Sequence, residues 1–110
     1  MRINILGNEW EIKFQKEEEN QGLQNRDGYC DRTIKTIFIA EDRGVSGFAD
    51  YKKYQKECIR HEITHAFLCE SGLDNNWQHC EQFGHDETMI DWFAIQFPKL
   101  LKAFEDADAI

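Results

Sequence analysis

The stretch from Asp50 to Gly72 constrains this chain most, because about six helical turns run there without an internal proline or glycine. Asp50 is a natural N-cap and Ser71-Gly72 a natural stop, so a helix is expected from Asp50 to about Glu70. Within it, Ile59, Ile63, Ala66 and Phe67 share one face by the 3.6-residue period. The roughly opposite face carries His61 and His65 of the stretch His61-Glu62-Ile63-Thr64-His65. Such a helix has an apolar back for a sheet to cover and a front on which two imidazoles lie one turn apart.

Two histidines so placed can reach one metal ion at about 2.0–2.1 Å. Glu62 lies beside them, placed to take a proton from a water whose pKa a metal lowers to about 7. The plain reading of the same residues is two polar side chains and a surface acid on an exposed helix face. The full His-Glu-x-x-His pattern favours metal-assisted hydrolysis over it.

The covering layer is legible upstream. Residues 2–6 and 10–14 alternate apolar and polar side chains around Gly7-Asn8, which predicts a β-hairpin. Ile3 and Ile5 face one side of the first strand, and Trp10, Ile12 and Phe14 line one face of the second. Residues 15–28, charged and amide-rich, read as a solvated connection, with Glu17-Glu18-Glu19 as surface. Thr33 to Ile39 is β-branched and aromatic and reads as a third, more buried strand ending at Glu41 to Gly44.

Downstream, residues 74–80 read as a loop across one end of a cleft. A second helix is expected from His85 or Asp86 to about Phe104, with Met89, Ile90, Phe93, Ala94 and Phe97 at helical spacing. Pro98 should kink or divide it, while Leu100, Leu101 and Phe104 pack beyond, before a short acidic tail from Glu105 to Ile110. Trp77, Phe83, Trp92, Phe93 and Phe97 are assigned to packing rather than to a substrate cleft. The expected architecture is α+β: one domain spanning 1–110, with a small three-stranded, mainly antiparallel sheet packed on the motif helix and a second, C-terminal helix.

With 110 residues, 41% of them hydrophobic, the chain can build one core. It has no signal-peptide h-region at its start and no apolar run of about 18 residues, so no membrane partner and a cytosolic location are expected. Cys30, Cys58, Cys69 and Cys80 form no C-x-x-C pair and read as reduced thiols. A net charge of −8 argues against direct nucleic-acid binding, which needs clustered Lys and Arg, and would suit a basic partner surface. Binding of DNA through a masked basic patch is the weakest reading.

Two histidines alone hold zinc poorly; catalytic sites use three protein ligands and a water. The long metzincin motif would need glycine at position 68 and histidine at position 71, where this chain has Leu68 and Ser71. Glu87 is the best third ligand, because Asp91 follows one turn later where it can orient a ligand histidine. A helix-start acid favoured by the dipole is the plain alternative for Glu87, and a solvated helix acid for Asp91. Cys58 and Cys69 share the side of the histidines and are assigned to burial, with His79, Cys80 and His85 as other candidate ligands.

His61-Glu62-x-x-His65 followed by Glu87-x-x-x-Asp91 resembles the gluzincin pattern. The order of hairpin, strand, motif helix and glutamate helix is similar to the short minigluzincins of phages and mobile elements, distant relatives of the ImmA/IrrE metallopeptidase domain. The resemblance implies a zinc endopeptidase with His61, His65 and Glu87 as ligands, Glu62 as general base and Asp91 bonded to His61. An exposed strand edge could take an extended peptide or protein substrate by strand addition. The chain departs from larger gluzincins in lacking their second domain and a clear Tyr or His for the oxyanion, for which Tyr29, His79 and His85 are candidates. That departure keeps open a reading of another class: a catalytically weak or inactive zinc-stabilised module that binds a phage or host regulator.

Overall fold

A computed structural model describes residues 1–45, 47–73 and 87–110, apart from the side chains of Glu87, Thr88, Ile90, Asp91 and Ala94. The class is α+β, with a four-stranded mixed sheet and two helices among the described residues. Strands β1 (Arg2–Ile5) and β2 (Asn8–Gln15) form the expected hairpin, with Ile5 opposite Asn8. Its two-residue turn puts Leu6 at φ 51° and Gly7 at φ 89°, both left-handed, and Gly7 supplies this without a Cβ penalty.

The connection after β2 is not purely solvent-facing, which corrects the reading of 15–28. A 3-10 turn at Gln21–Leu23 buries Leu23 completely, and β3 (Gly28–Asp31) follows directly. Strand β4 (Thr36–Ala40) then pairs antiparallel with β3 and parallel with β2, giving the order β1-β2-β4-β3. Among the described residues the sheet therefore has four strands, not three, and one parallel pair. Parallel neighbours need a crossover of a dozen or more residues, and residues 16–35 provide it while inserting β3 at the far edge. The third strand begins at Thr36 rather than Thr33 because residues 32–35 make the turn from β3. Asp31 Oδ1 closes that turn by accepting from Thr33 N at 2.9 Å and Thr33 Oγ1 at 2.6 Å, and Lys35 takes φ 50°.

Helix α1 (Tyr51–Ser71) starts and stops where expected: Asp50 Oδ1 accepts from Lys53 N at 3.0 Å, and Gly72 takes φ 81°. Ile59, Ile63, Ala66 and Phe67 are buried with Ile3, Ile5, Trp10, Ile12, Ile37 and Ile39 in one core. Phe14 continues the alternation of β2 but remains exposed.

Helix α2 (Glu87–Asp106) runs undivided through Pro98, with Leu100 and Ala103 buried beyond it. Those anchors hold the helix across a residue that costs it an internal hydrogen bond. Trp92 is buried, and its Nε1 donates to Ser71 Oγ at 3.1 Å, tying α2 to the end of α1. Phe93 and Phe97 are exposed, so their assignment to packing is corrected; helical spacing alone does not say which face finds a partner. The acidic tail keeps its charged side chains exposed and packs through its alanines. Asp108 at φ 51° gives a Schellman ending, with Ala109 N donating to Phe104 O at 2.9 Å, and Ala107 and Ala109 enter the core. Arg60 Nη1 then donates to Ala109 O at 2.6 Å, fixing the tail on α1.

Glu70 pins the other end of α1 to the sheet. Its carboxylate accepts from Trp10 Nε1 at 2.8 Å, Asn8 Nδ2 at 2.9 Å and Lys35 Nζ at 2.9 Å. Burial pushes the Glu70 pKa up, but the Lys35 and Trp10 hydrogen bonds and the Lys35 charge outweigh it, and the net shift is downward. Glu70→Ala should cost about 2 kcal/mol in urea unfolding, since it leaves three donors without their acceptor. In the parent, this contribution should be complete above about pH 4.5 and fade as pH falls through the lowered folded-state value; in Glu70→Gln that segment of the stability–pH profile should flatten.

Candidate active site

The burial of Ile59, Ile63 and Ala66 sets the rotation of α1 and leaves His61 and His65 exposed on its front. Their Nε2 atoms converge to 3.1 Å, with the rings 4.8 Å apart at 68°. At 3.1 Å the two nitrogens are within hydrogen-bond distance of each other, and the separation is also close to the about 3.3 Å between two nitrogens bound tetrahedrally to one zinc ion. Glu62 lies at the boundary between front and core, only 8% exposed. Burial raises its carboxyl pKa, opposed by the charges of His61, His65 and Arg26. A carboxyl held above its ordinary value, next to two metal-type imidazoles, is suited to accept and return a proton.

Strand β3 faces this helix front. Gly28 is the residue that allows the approach: a Cβ there would stand 3.0 Å from Phe38 O, 3.1 Å from Ile39 Cδ1 and 3.3 Å from Glu62 Cγ. Between strand and helix runs a cleft with two lobes. The larger, about 670 Å³, reaches His65, Cys69, Cys30 and Arg32; the smaller, about 320 Å³, reaches His61, Cys58, Tyr54 and Glu57. Arg26, Gly28 and Glu62 line both lobes and so mark their junction.

The approach to β3 is held rigidly. Arg43 donates to Asp27 Oδ1 at 2.8 Å, Glu17 Oε2 at 3.1 Å, Leu23 O at 2.9 Å and Arg26 O at 2.7 Å. Tyr54 Oη, from α1, donates to Asp27 Oδ2 at 2.6 Å. That bond is the largest cause of the lowered Asp27 pKa, with burial opposing it and Arg43 assisting; the Tyr54 phenol is pushed up in return. Asp27 thus joins strand, connection and helix at one lip of the cleft. Neither Arg43 nor Asp27 stands out in the sequence, because their partners are distant in the chain.

No protein-family model matches this chain, and neither curated proteins nor solved structures give a match.

Among the described residues, no group of three or more His, Cys, Asp and Glu side chains could hold a metal ion. Glu87 is the first residue of α2, but its side chain and that of Asp91 lie outside the described residues. So do His79, Cys80 and His85, together with Trp77, Phe83 and the loop at 74–80. Cys58 and Cys69, assigned to burial, are half-buried at the cleft; burial raises the Cys58 thiol pKa against the Tyr54 hydrogen bond. Tyr29, a candidate oxyanion donor, lines the larger lobe, yet its hydroxyl donates to Asn20 Oδ1 at 3.0 Å. No helix among the described residues is long and apolar enough to cross a membrane.

Two convergent imidazole nitrogens, on a helix anchored by its apolar back, supply two of the three protein donors that a catalytic zinc site uses. Zinc should bind with one equivalent per chain and raise Tm, by about 2.7 kcal/mol of stabilisation at a hundredfold excess over Kd. His65→Ala should abolish that rise in differential scanning calorimetry; an unchanged rise would place the metal elsewhere.

Proposed function

We propose that this protein is a cytosolic zinc-dependent endopeptidase. The observation carrying the reading is the 3.1 Å convergence of His61 and His65 Nε2 next to the buried Glu62, across a cleft from an edge strand. His61 and His65 would hold the ion, with Glu87 as the third ligand and Asp91 orienting His61. Bound zinc supplies Lewis acidity, which brings the pKa of a water to about 7.

The chain supplies the remaining steps. Glu62 takes a proton from the attacking water and returns it to the leaving amine nitrogen, so that one O–C bond forms, one C–N bond breaks and the carboxyl is regenerated. Strand β3 pairs only with β4 among the described residues, so its outer edge can align an extended peptide by backbone hydrogen bonds. The absent Cβ of Gly28 lets that strand lie against Glu62.

A second reading, a zinc-stabilised module that binds a regulator without cutting it, is favoured by the exposed Phe93, Ile95 and Phe97 on α2. Glu62→Gln separates the two. The peptidase reading expects folding, stoichiometric zinc and apo stability at least equal to the parent, since a buried charge is removed, with kcat on an extended peptide reduced at least about 10²-fold. Retained cleavage rejects Glu62 as the base, and partner capture without cleavage by the parent protein selects the second reading.

A further inference from the structure

We infer that Arg26 is the electrophile that stabilises the oxyanion, the role for which the sequence offered Tyr29, His79 and His85. The inference rests on the peptidase reading. Three observations carry it. Among the described residues, Arg26 lines both lobes of the cleft together with Glu62 and Gly28, which sets it beside the proposed base. Its guanidinium has no carboxylate partner among the described residues, although the chain has 21 acidic residues against 13 Lys and Arg. It is also held in place from both ends: Arg43 Nη2 donates to Arg26 O at 2.7 Å, and the guanidinium lies 5.8 Å from the centroid of the Tyr29 ring.

Tyr29 therefore has a different part from the one the sequence indicated. Its ring stacks on Phe38 at 4.8 Å, and its hydroxyl is committed to Asn20, so it forms a fixed aromatic shelf under the cation. A planar, always-charged guanidinium on such a shelf is preorganised for a charge that appears only as the water oxygen bonds to the carbonyl carbon and the carbonyl π pair moves onto oxygen.

The test compares parent, Arg26→Ala and Arg26→Lys, all zinc-loaded, in two assays: cleavage of a fluorogenic peptide, and calorimetric binding of a phosphinic peptide that carries a tetrahedral anion at the scissile position. The uncut amide peptide is measured in the Glu62→Gln background. Arg26 is exposed, so Tm should be unchanged. The inference expects Arg26→Ala to lower kcat about 10²–10³-fold with KM nearly constant, and to weaken the phosphinic peptide comparably while sparing the amide peptide. Arg26→Lys should restore part of both. Parental kcat in Arg26→Ala, or equal loss of both peptides, overturns the inference and leaves the peptidase reading standing. A parent protein that loads zinc but neither cleaves nor binds the phosphinic peptide overturns both.

Discussion

Everything polar on α1 is placed by what its back buries. Ile59, Ile63, Ala66 and Phe67 are buried in one core with the apolar side chains of β1, β2 and β4, and burying a side chain the size of Ile or Phe contributes about 1.5–3 kcal/mol. Rotating the helix to hide a histidine would expose one of these residues. The imidazoles are consequently turned outward and brought to 3.1 Å, while Glu62, on the boundary, is left partly desolvated. Its raised pKa follows from the packing, and needs no further charge beside it.

The second constraint is the route of the chain between β2 and β4. A direct hairpin would have put β4 antiparallel to β2 and left the helix front open to solvent. The long crossover delivers β3 to the far edge instead, where Gly28 meets Glu62 and a cleft forms between strand and helix. Arg43 makes this route reproducible, since one guanidinium binds two carboxylates and two carbonyls of the crossover. Such a forked donor set matches that task better than a lysine would.

Both ends of the helical layer are also fixed by polar contacts to distant residues. Glu70 ties the C-terminal turn of α1 to β2 and to Lys35, and Arg60 ties the tail to the middle of the same helix. The tail is thereby packed into the core through Ala107 and Ala109, and it does not line either lobe of the cleft. The cleft stays lined by the crossover, β3 and α1.

The local patterns were legible in the sequence: the first hairpin, the motif helix with Asp50 and Gly72 at its ends, its apolar face, and the histidine pair. All of these depend on periodicity or on caps within a few residues, which a linear chain displays directly. The fourth strand was not legible, because Gly28–Asp31 is short and half-buried throughout, so neither alternation nor an apolar run marks it. Nor were the parallel pairing, the exposure of Phe93 and Phe97, or the place of Arg26, since each depends on which distant element lies alongside. The sequence by itself determined that α1 carries His61, Glu62 and His65 within little more than one turn, away from its apolar back. Tertiary structure alone decided what faces them, because a cleft wall is made by contacts between segments far apart in the chain, and those contacts leave no period to read.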